Sequence, residues 1–287
     1  MITSPLCLSK MLGIMEGNID KMRTELIDGK AHYYFVQSDK ETYLNPHIGK
    51  SIRLSFANEI NCSSCGKLTK KSYGGGYCYP CTLKLAECDM CILKPEQCHF
   101  HLGTCREPKW GEEHCMIDHF VYLANSSGLK VGITRYTQIP TRFIDQGAVE
   151  ALPIIRVKTR YHSGLVEKLL SSELKDKTDW RKMLKGEKVD LSLEEMRDEV
   201  FENFASDLDA LENKYSGLSL EFLERESIIN IDYPVLKYPE KVASMSFDKT
   251  SVIEGRLEGI KGQYLIFDKG VINIRNHTGY KVKLEIL

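Results

Sequence analysis

Cys62-Ser63-Ser64-Cys65, a spacer of twelve residues, and Cys78-Tyr79-Pro80-Cys81 decide how this chain is read. Each C-x2-C turn places two thiolates on one side of a tight loop. Two such knuckles close a tetrahedral zinc site with Zn–S distances of about 2.3 Å. Gly66 and Gly76 lie beside the knuckles and suit the positive φ that such loops need. Four thiolates leave no open position on the ion, so a structural zinc ribbon is expected rather than a catalytic metal. Nine of the ten cysteines fall between Cys62 and Cys115, and Cys7 is the outlier. The N-terminal apolar stretches are short and broken by Ser9-Lys10, which is not the pattern of a signal peptide. No apolar run approaches the roughly 20 residues that span a bilayer. A cytoplasmic location without membrane contact is expected. Disulfides are rare there, so clustered cysteines are read as metal ligands.

A second set follows immediately: Cys88-x2-Cys91-x6-Cys98-x6-Cys105-x9-Cys115, with His99, His101 and His114 interleaved. The expected second zinc ligands are Cys88, Cys91, Cys98 and Cys105, with Cys115 or a histidine able to replace one. An iron–sulfur cluster is the alternative, because it also takes four thiolates, although the spacing matches no standard ferredoxin run. Burial of some of these cysteines as small hydrophobes is the bland reading.

Outward from the cysteines the pattern turns to β structure. HYYFVQ (32–37) and SIRLSF (51–56) are aromatic and β-branched, as strands are. FVYLA and LKVGIT flank Asn125-Ser126-Ser127-Gly128, which is hairpin chemistry. A helix is expected over 164–174. The clearest helix covers 191–213, where Ser192 with Glu195 fits a capping box and Leu193, Met196, Val200, Phe204, Leu208 and Leu211 recur at helical spacing. A shorter helix is expected over 218–225, and β structure from Ile228 onward. A weak internal repeat links Asp39-Lys40 through Asn45-Pro46-His47-Ile48-Gly49-Lys50 to Leu54 with Asp268-Lys269 through Arg275-Asn276-His277-Thr278-Gly279-Tyr280 to Leu284. It suggests two related β modules at the chain ends, packed together. The expected class is therefore α+β, divided as an N-terminal β module (20–60), a two-zinc region (61–117), a core (118–186), an acidic helical segment (187–227) and a C-terminal β module (228–287).

The net charge of −1 hides an uneven distribution. From Lys130 to Lys185 there are 12 basic and 6 acidic residues, and from Glu187 to Glu226 there are 13 acidic and 4 basic. The near-neutral total excludes a uniformly basic nucleic-acid binder but not a locally basic one, because salt screens fields over about 10 Å.

In and just before the basic segment, Phe120-Val121-Tyr122, Lys130-Val131-Gly132, Arg142 and Glu167 stand in an order that resembles the GIY-YIG nuclease superfamily. The resemblance covers about residues 119–181. It implies a GIY-YIG-like α/β core in which Tyr122 activates water, Arg142 neutralises phosphoryl charge and Glu167 holds Mg2+ or Mn2+ with waters. Lys130 stands where the family has its second tyrosine, and Asp179 falls near its C-terminal asparagine. The whole chain is similar to an uncharacterised prokaryotic family of unknown function, through its knuckles and the segments GTCREP (103–108), KVGITR (130–135) and RFIDQGA (142–148).

Around that core, His162 is a candidate general base. Thr134, Arg135, Gln146, Lys177 and Arg181 are candidate contacts to nucleic acid. The leading expectation is an enzyme acting on phosphodiesters or nucleotides, with RNA favoured over DNA because zinc knuckles and small β modules often read single strands. The alternatives are a non-catalytic RNA- or DNA-binding protein that retained the scaffold, and a zinc-stabilised scaffold whose acidic 187–226 segment meets a protein partner.

Overall fold

The computed structural model describes residues 15–174 and 179–287, so Cys7 and Lys177 lie outside the described residues. The described residues open with β1 (Met15–Asn18), β2 (Arg23–Ile27), β3 (Lys30–Gln37), β4 (Lys40–Tyr43) and β5 (Ser51–Ile60). The cysteine region follows, with short helices α1 (Tyr79–Lys84), α2 (Met90–Leu93) and α3 (Pro108–His114). The centre is β6 (His119–Asn125), β7 (Leu129–Arg135), α4 (Thr141–Asp145), β8 (Glu150–Val157) and α5 (Arg160–Glu173). Then come α6 (Trp180–Leu184), α7 (Leu193–Asn203), α8 (Ala205–Lys214), β9 (Glu221–Phe222) and β10 (Ile229–Asn230). The chain closes with β11 (Val252–Lys261), β12 (Tyr264–Phe267), β13 (Gly270–Asn273) and β14 (Tyr280–Ile286).

These strands form three antiparallel sheets. Both chain ends share the largest, whose order is β1-β14-β5-β11-β12-β13. Its centre has an approximate two-fold symmetry. Leu54 and Leu284, matched in the sequence repeat, are also direct cross-strand partners of β5 and β14. On either side β1 pairs with β14, and the first half of β11 pairs with β5. β2-β3-β4 and β11-β12-β13 are the corresponding meanders. Gly49 and Gly279, again matched in the repeat, both adopt φ of 89°. Inward-facing residues alternate along each strand, as in β3, where Ala31, Tyr33, Phe35 and Gln37 are buried, the period of two that a pleated strand imposes.

The central sheet has the order β10-β8-β6-β7, with β9 on β8. β6 is buried along almost its whole length, which explains its unbroken apolar run. One face, including Tyr122 and Ala124, joins Phe143 and Ile144 in a core shared with Tyr33, Phe35, Leu54 and Leu284 of the terminal strands. The other face, with Val121, Leu123, Ile133 and Ile154, packs on Val166 and Leu170 of α5 and on Val200 and Leu208 of the acidic segment. The outer faces of α7 and α8 are solvated, with Glu194, Glu195, Asp198 and Glu199 exposed.

The expected capping box is half formed, since Ser192 Oγ accepts from the Glu195 backbone N–H at 3.2 Å. The expected single helix over 191–213 is two, broken at Phe204 (φ −104°, ψ 6°). The helix expected over 218–225 is absent. Glu221–Phe222 is instead a short strand, and the Leu223 N–H donates to the Ile154 carbonyl. The open edge of β8 offers backbone partners that a short isolated helix of about two turns cannot match.

Candidate functional site

The four cysteines of the CSSC and CYPC turns meet. The sulfurs of Cys62, Cys65, Cys78 and Cys81 all lie within 4.8 Å of one another. Cys65 and Cys78 are 3.8 Å apart, about the edge of a tetrahedron with 2.3 Å Zn–S bonds. The knuckle is held by the Cys62 N–H on Lys67 O and the Gly66 N–H on Cys62 O, with φ of 69° at Gly66 and 122° at Gly76. Burial pushes the Cys62 thiol up, but backbone N–H donors of Cys65, Cys78 and Ser64 outweigh it and bring it to about 6. The donor set fits a metal ion such as zinc, and all nine described cysteines are free of disulfides.

Beside this centre the terminal strands, the cysteine region and the central sheet enclose a cleft of about 620 Å³. Thr134 and Arg135 reach it from the end of β7, Arg142 from α4, and Arg160 and Glu167 from α5. Lys21 and Arg275 reach it from the two chain ends. Four of these residues, Thr134, Arg135, Arg142 and Glu167, are visible as candidates in the sequence. Arg160, Lys21 and Arg275 are not, because nothing in their local pattern separates them from ordinary surface charges. Burial pulls the Arg135 guanidinium down, with Arg160 adding to the effect. Burial raises the half-buried Glu167 carboxyl, opposed by the charges of Arg142, Arg160 and Lys130. Lys130 therefore acts on the site as a neighbour of Glu167, and it is not among the residues that line the cleft.

Tyr122 lies behind the cleft, fully buried. Its partner across the hairpin is Gly132. A Cβ on Gly132 would stand 2.6 Å from the Tyr122 hydroxyl, so the glycine gives the tyrosine its room. Gln146 links this phenol to the cleft. In the amide orientation that satisfies both neighbours, its NH2 donates to Tyr122 Oη at 2.7 Å and its oxygen accepts from Arg142 Nη2 at 3.2 Å. Burial raises the Tyr122 phenol further above its ordinary value, with Arg142 opposing. It stays protonated at neutral pH. Asp145, a residue that can pair with Arg142 along one helix, instead binds Lys21 at 3.1 Å and accepts from Gln263 at 2.8 Å.

Of the other candidates, His114 and Cys115 also line the cleft, and the rest lie elsewhere. His162 is buried between Tyr161 and the His101 side, with its ring nitrogen Nδ1 unpartnered, and does not line the cleft. Arg181 lies over the Trp180 ring at 4.3 Å. Asp179 caps α6 by accepting from the Arg181 N–H at 2.7 Å. His114 stacks on Trp110 at 4.2 Å, and His99 Nδ1 is 2.7 Å from Thr104 Oγ1. Cys91 and Cys98 are buried with Cys115, whereas Cys88 lies against Gly74.

The family described as a protein of unknown function (DUF2797) matches residues 49–282, from before the first knuckle to within β14. The chain belongs to that family. The matched span includes every predicted metal ligand and all the cleft residues except Lys21 and Asp20. No curated protein and no solved structure matches the chain. Among the described residues no helix is long and apolar enough to cross a membrane.

Proposed function

We propose that this chain is a nucleic-acid-processing enzyme whose cleft takes a phosphodiester strand, RNA in preference to DNA, at a divergent GIY-YIG-like centre. The observation that carries this reading is that Arg135, Arg142, Arg160, Arg275 and Lys21, gathered from separate elements, line one cleft with Glu167; Asp20, Glu87 and Asp145 line it too, Asp145 paired with Lys21. Cations gathered from separate elements are the arrangement a phosphate backbone demands. The order of elements from β6 to α5 and the placement of Tyr122 behind Arg142 also support it.

In this reading Arg142 meets the charge developing on the phosphoryl group. Tyr122 does not take a proton. Its buried phenol sets the Gln146 amide, which in turn sets the Arg142 guanidinium, so Tyr122 is a positioning residue. Glu167 would hold a Mg2+ or Mn2+ ion together with water and substrate oxygens, a donor set that magnesium accepts. When bound, the ion supplies stabilisation of the leaving oxygen. Three cations already act on Glu167, so the ion is expected to bind well only with a phosphate strand present. The test is cleavage of labelled RNA and DNA with Mg2+ or Mn2+. Glu167→Ala should abolish product while leaving the fold intact, and unchanged cleavage by that variant would overturn the role of Glu167.

A second reading, a binding protein without catalysis, is favoured by one observation. Neither Tyr122, which is fully buried, nor His162 faces the cleft, so neither predicted base reaches a water there. Salt-sensitive binding of RNA with no product after long incubation with either ion would select this reading.

A further inference from the structure

We propose that Cys91, Cys98, Cys105 and Cys115 form a second, single-ion zinc centre and that Cys88 is not a ligand. The four sulfur-bearing residues line one small hollow together with Phe100 and Trp110, and Cys88 does not. The hollow measures about 10 Å³. That is room for about one water-sized sphere, hence for a mononuclear ion.

The ligands arrive from four separate turns. Cys91 lies in α2, Cys98 follows the turn at Pro95–Gln97, Cys105 lies in the loop before α3, and Cys115 caps the end of α3. Cys91, Cys98 and Cys115 are buried and pack against Phe100, Trp110 and Tyr161. Cys98 packs with Cys91 and Cys115 in one buried cluster, and Cys105 faces the same hollow. The resulting spacing, C-x6-C-x6-C-x9-C, contains no C-x2-C knuckle. That explains why sequence reading selects Cys88, whose pairing with Cys91 imitates one.

Charge supplies an independent reason. Four thiolates around Zn2+ carry a net charge of −2, and a buried anion needs a cation beside it. Arg160 is that cation. Its guanidinium donates to the carbonyls of Ile92 (2.7 Å) and Cys91 (3.4 Å), and Cys115, Cys91 and Cys98 are the groups whose charge favours its own. Among the described residues here, it is the ligand atoms of Asp89, Cys91 and His99 that lie within 4.8 Å of one another. However, Asp89 already binds Arg106 Nε at 2.6 Å and accepts from the Cys91 N–H, so its carboxylate is committed. The Arg160 backbone N–H donates to the Cys115 carbonyl at 2.8 Å. The start of α5, and with it Glu167, is therefore anchored on this centre whatever the cleft binds.

Elemental analysis of the purified full-length chain tests the assignment. Wild type and Cys88→Ser should each carry two zinc ions per chain, and Cys115→Ser should carry one. One zinc in Cys88→Ser with two in Cys115→Ser would overturn the ligand set. So would one zinc in wild type, or iron with sulfide in place of the second zinc. Should Cys115→Ser not accumulate as folded protein, alkylation of native wild type with iodoacetamide decides. Cys88 should label freely, while Cys91, Cys98, Cys105 and Cys115 stay protected until a chelator is added. Protection of Cys88 together with labelling of Cys115 would overturn the proposal.

Discussion

The two terminal groups of strands, 15–60 and 252–286, follow a similar order and differ where the cleft is. In the C-terminal group β11 is one strand, whose first half pairs with β5 and whose second half pairs with β12. In the N-terminal group the equivalent run is broken between β1 and β2, and the break carries Lys21 into the cleft. Gln263 of the C-terminal group closes the gap by binding both the N–H (2.7 Å) and the carbonyl (2.9 Å) of Met22. The turns differ as well. Arg275 and Thr278 of the C-terminal turn line the cleft, while the matched Asn45 holds the backbone of Tyr33 and Ala31. Before the first hairpin the N-terminal group ends on exposed Ile27, the C-terminal group on fully buried Lys261. The lesson is that two similarly ordered groups of strands differ where the cleft lies.

The sharpest way to break this comparison is at the matched glycines. A Cβ on Gly279 would stand 2.5 Å from the Asn61 carbonyl oxygen, which is backbone and cannot yield. A Cβ on Gly49 meets only Leu236 Cδ1 at 3.2 Å. Both positions strain any L-residue, so Gly279→Ala should cost about 4 kcal/mol and Gly49→Ala about 1–2 kcal/mol in urea unfolding. Equal costs would mean that the two turns are energetically equivalent after all.

Lys261 comes next. Its Nζ has no hydrogen-bond partner and lies 5.2 Å and 5.5 Å from the Tyr233 and Tyr238 ring centroids. Burial lowers it from 10.5 to about 8, which corresponds to at most about 3 kcal/mol of instability at neutral pH. Between about pH 8 and 10.5 the unfolded chain still holds the proton that the folded chain has lost, so stability should rise with pH across that window. Lys261→Met should be more stable at pH 7 and show no such rise. A wild-type profile that is flat across the same window would refute the cost assigned to this lysine.

Gln263→Ala should cost about 2 kcal/mol by leaving buried groups of Met22 unpaired. An unchanged unfolding midpoint would show that the break in the N-terminal strand needs no clamp. The smallest effect is expected at Arg275. Its replacement by Ala should weaken RNA binding several-fold and lower the salt slope by about 1, whereas Asn45→Ala should alter stability and leave the slope alone. A salt slope unchanged in Arg275→Ala would remove the C-terminal turn from the proposed interface.

Much of this organisation is legible in the residues themselves. The CSSC and CYPC turns announce their centre because a knuckle is a local structure with a fixed spacing. The Asn125–Gly128 hairpin and the Ser192 cap are local for the same reason. The repeat around His47 and His277 is legible because strand and turn chemistry recur in order. The stretch 218–225 misleads, since its helical pattern loses to an open sheet edge far away in sequence. Arg160, Lys21 and Arg275 are silent, because a cation becomes part of a site only through what folds opposite it.

By itself, then, the sequence determined the first cysteine centre, the strand-rich ends and the apolar strands of the central sheet. These depend on spacing and periodicity within about 20 residues. Only the tertiary structure decided that both ends share one sheet, that Tyr122 is sealed behind Gln146 and that five cations line one cleft with Glu167. Those outcomes rest on contacts between residues far apart in the chain, such as Met22 with Gln263 or Leu54 with Leu284, which no local pattern encodes.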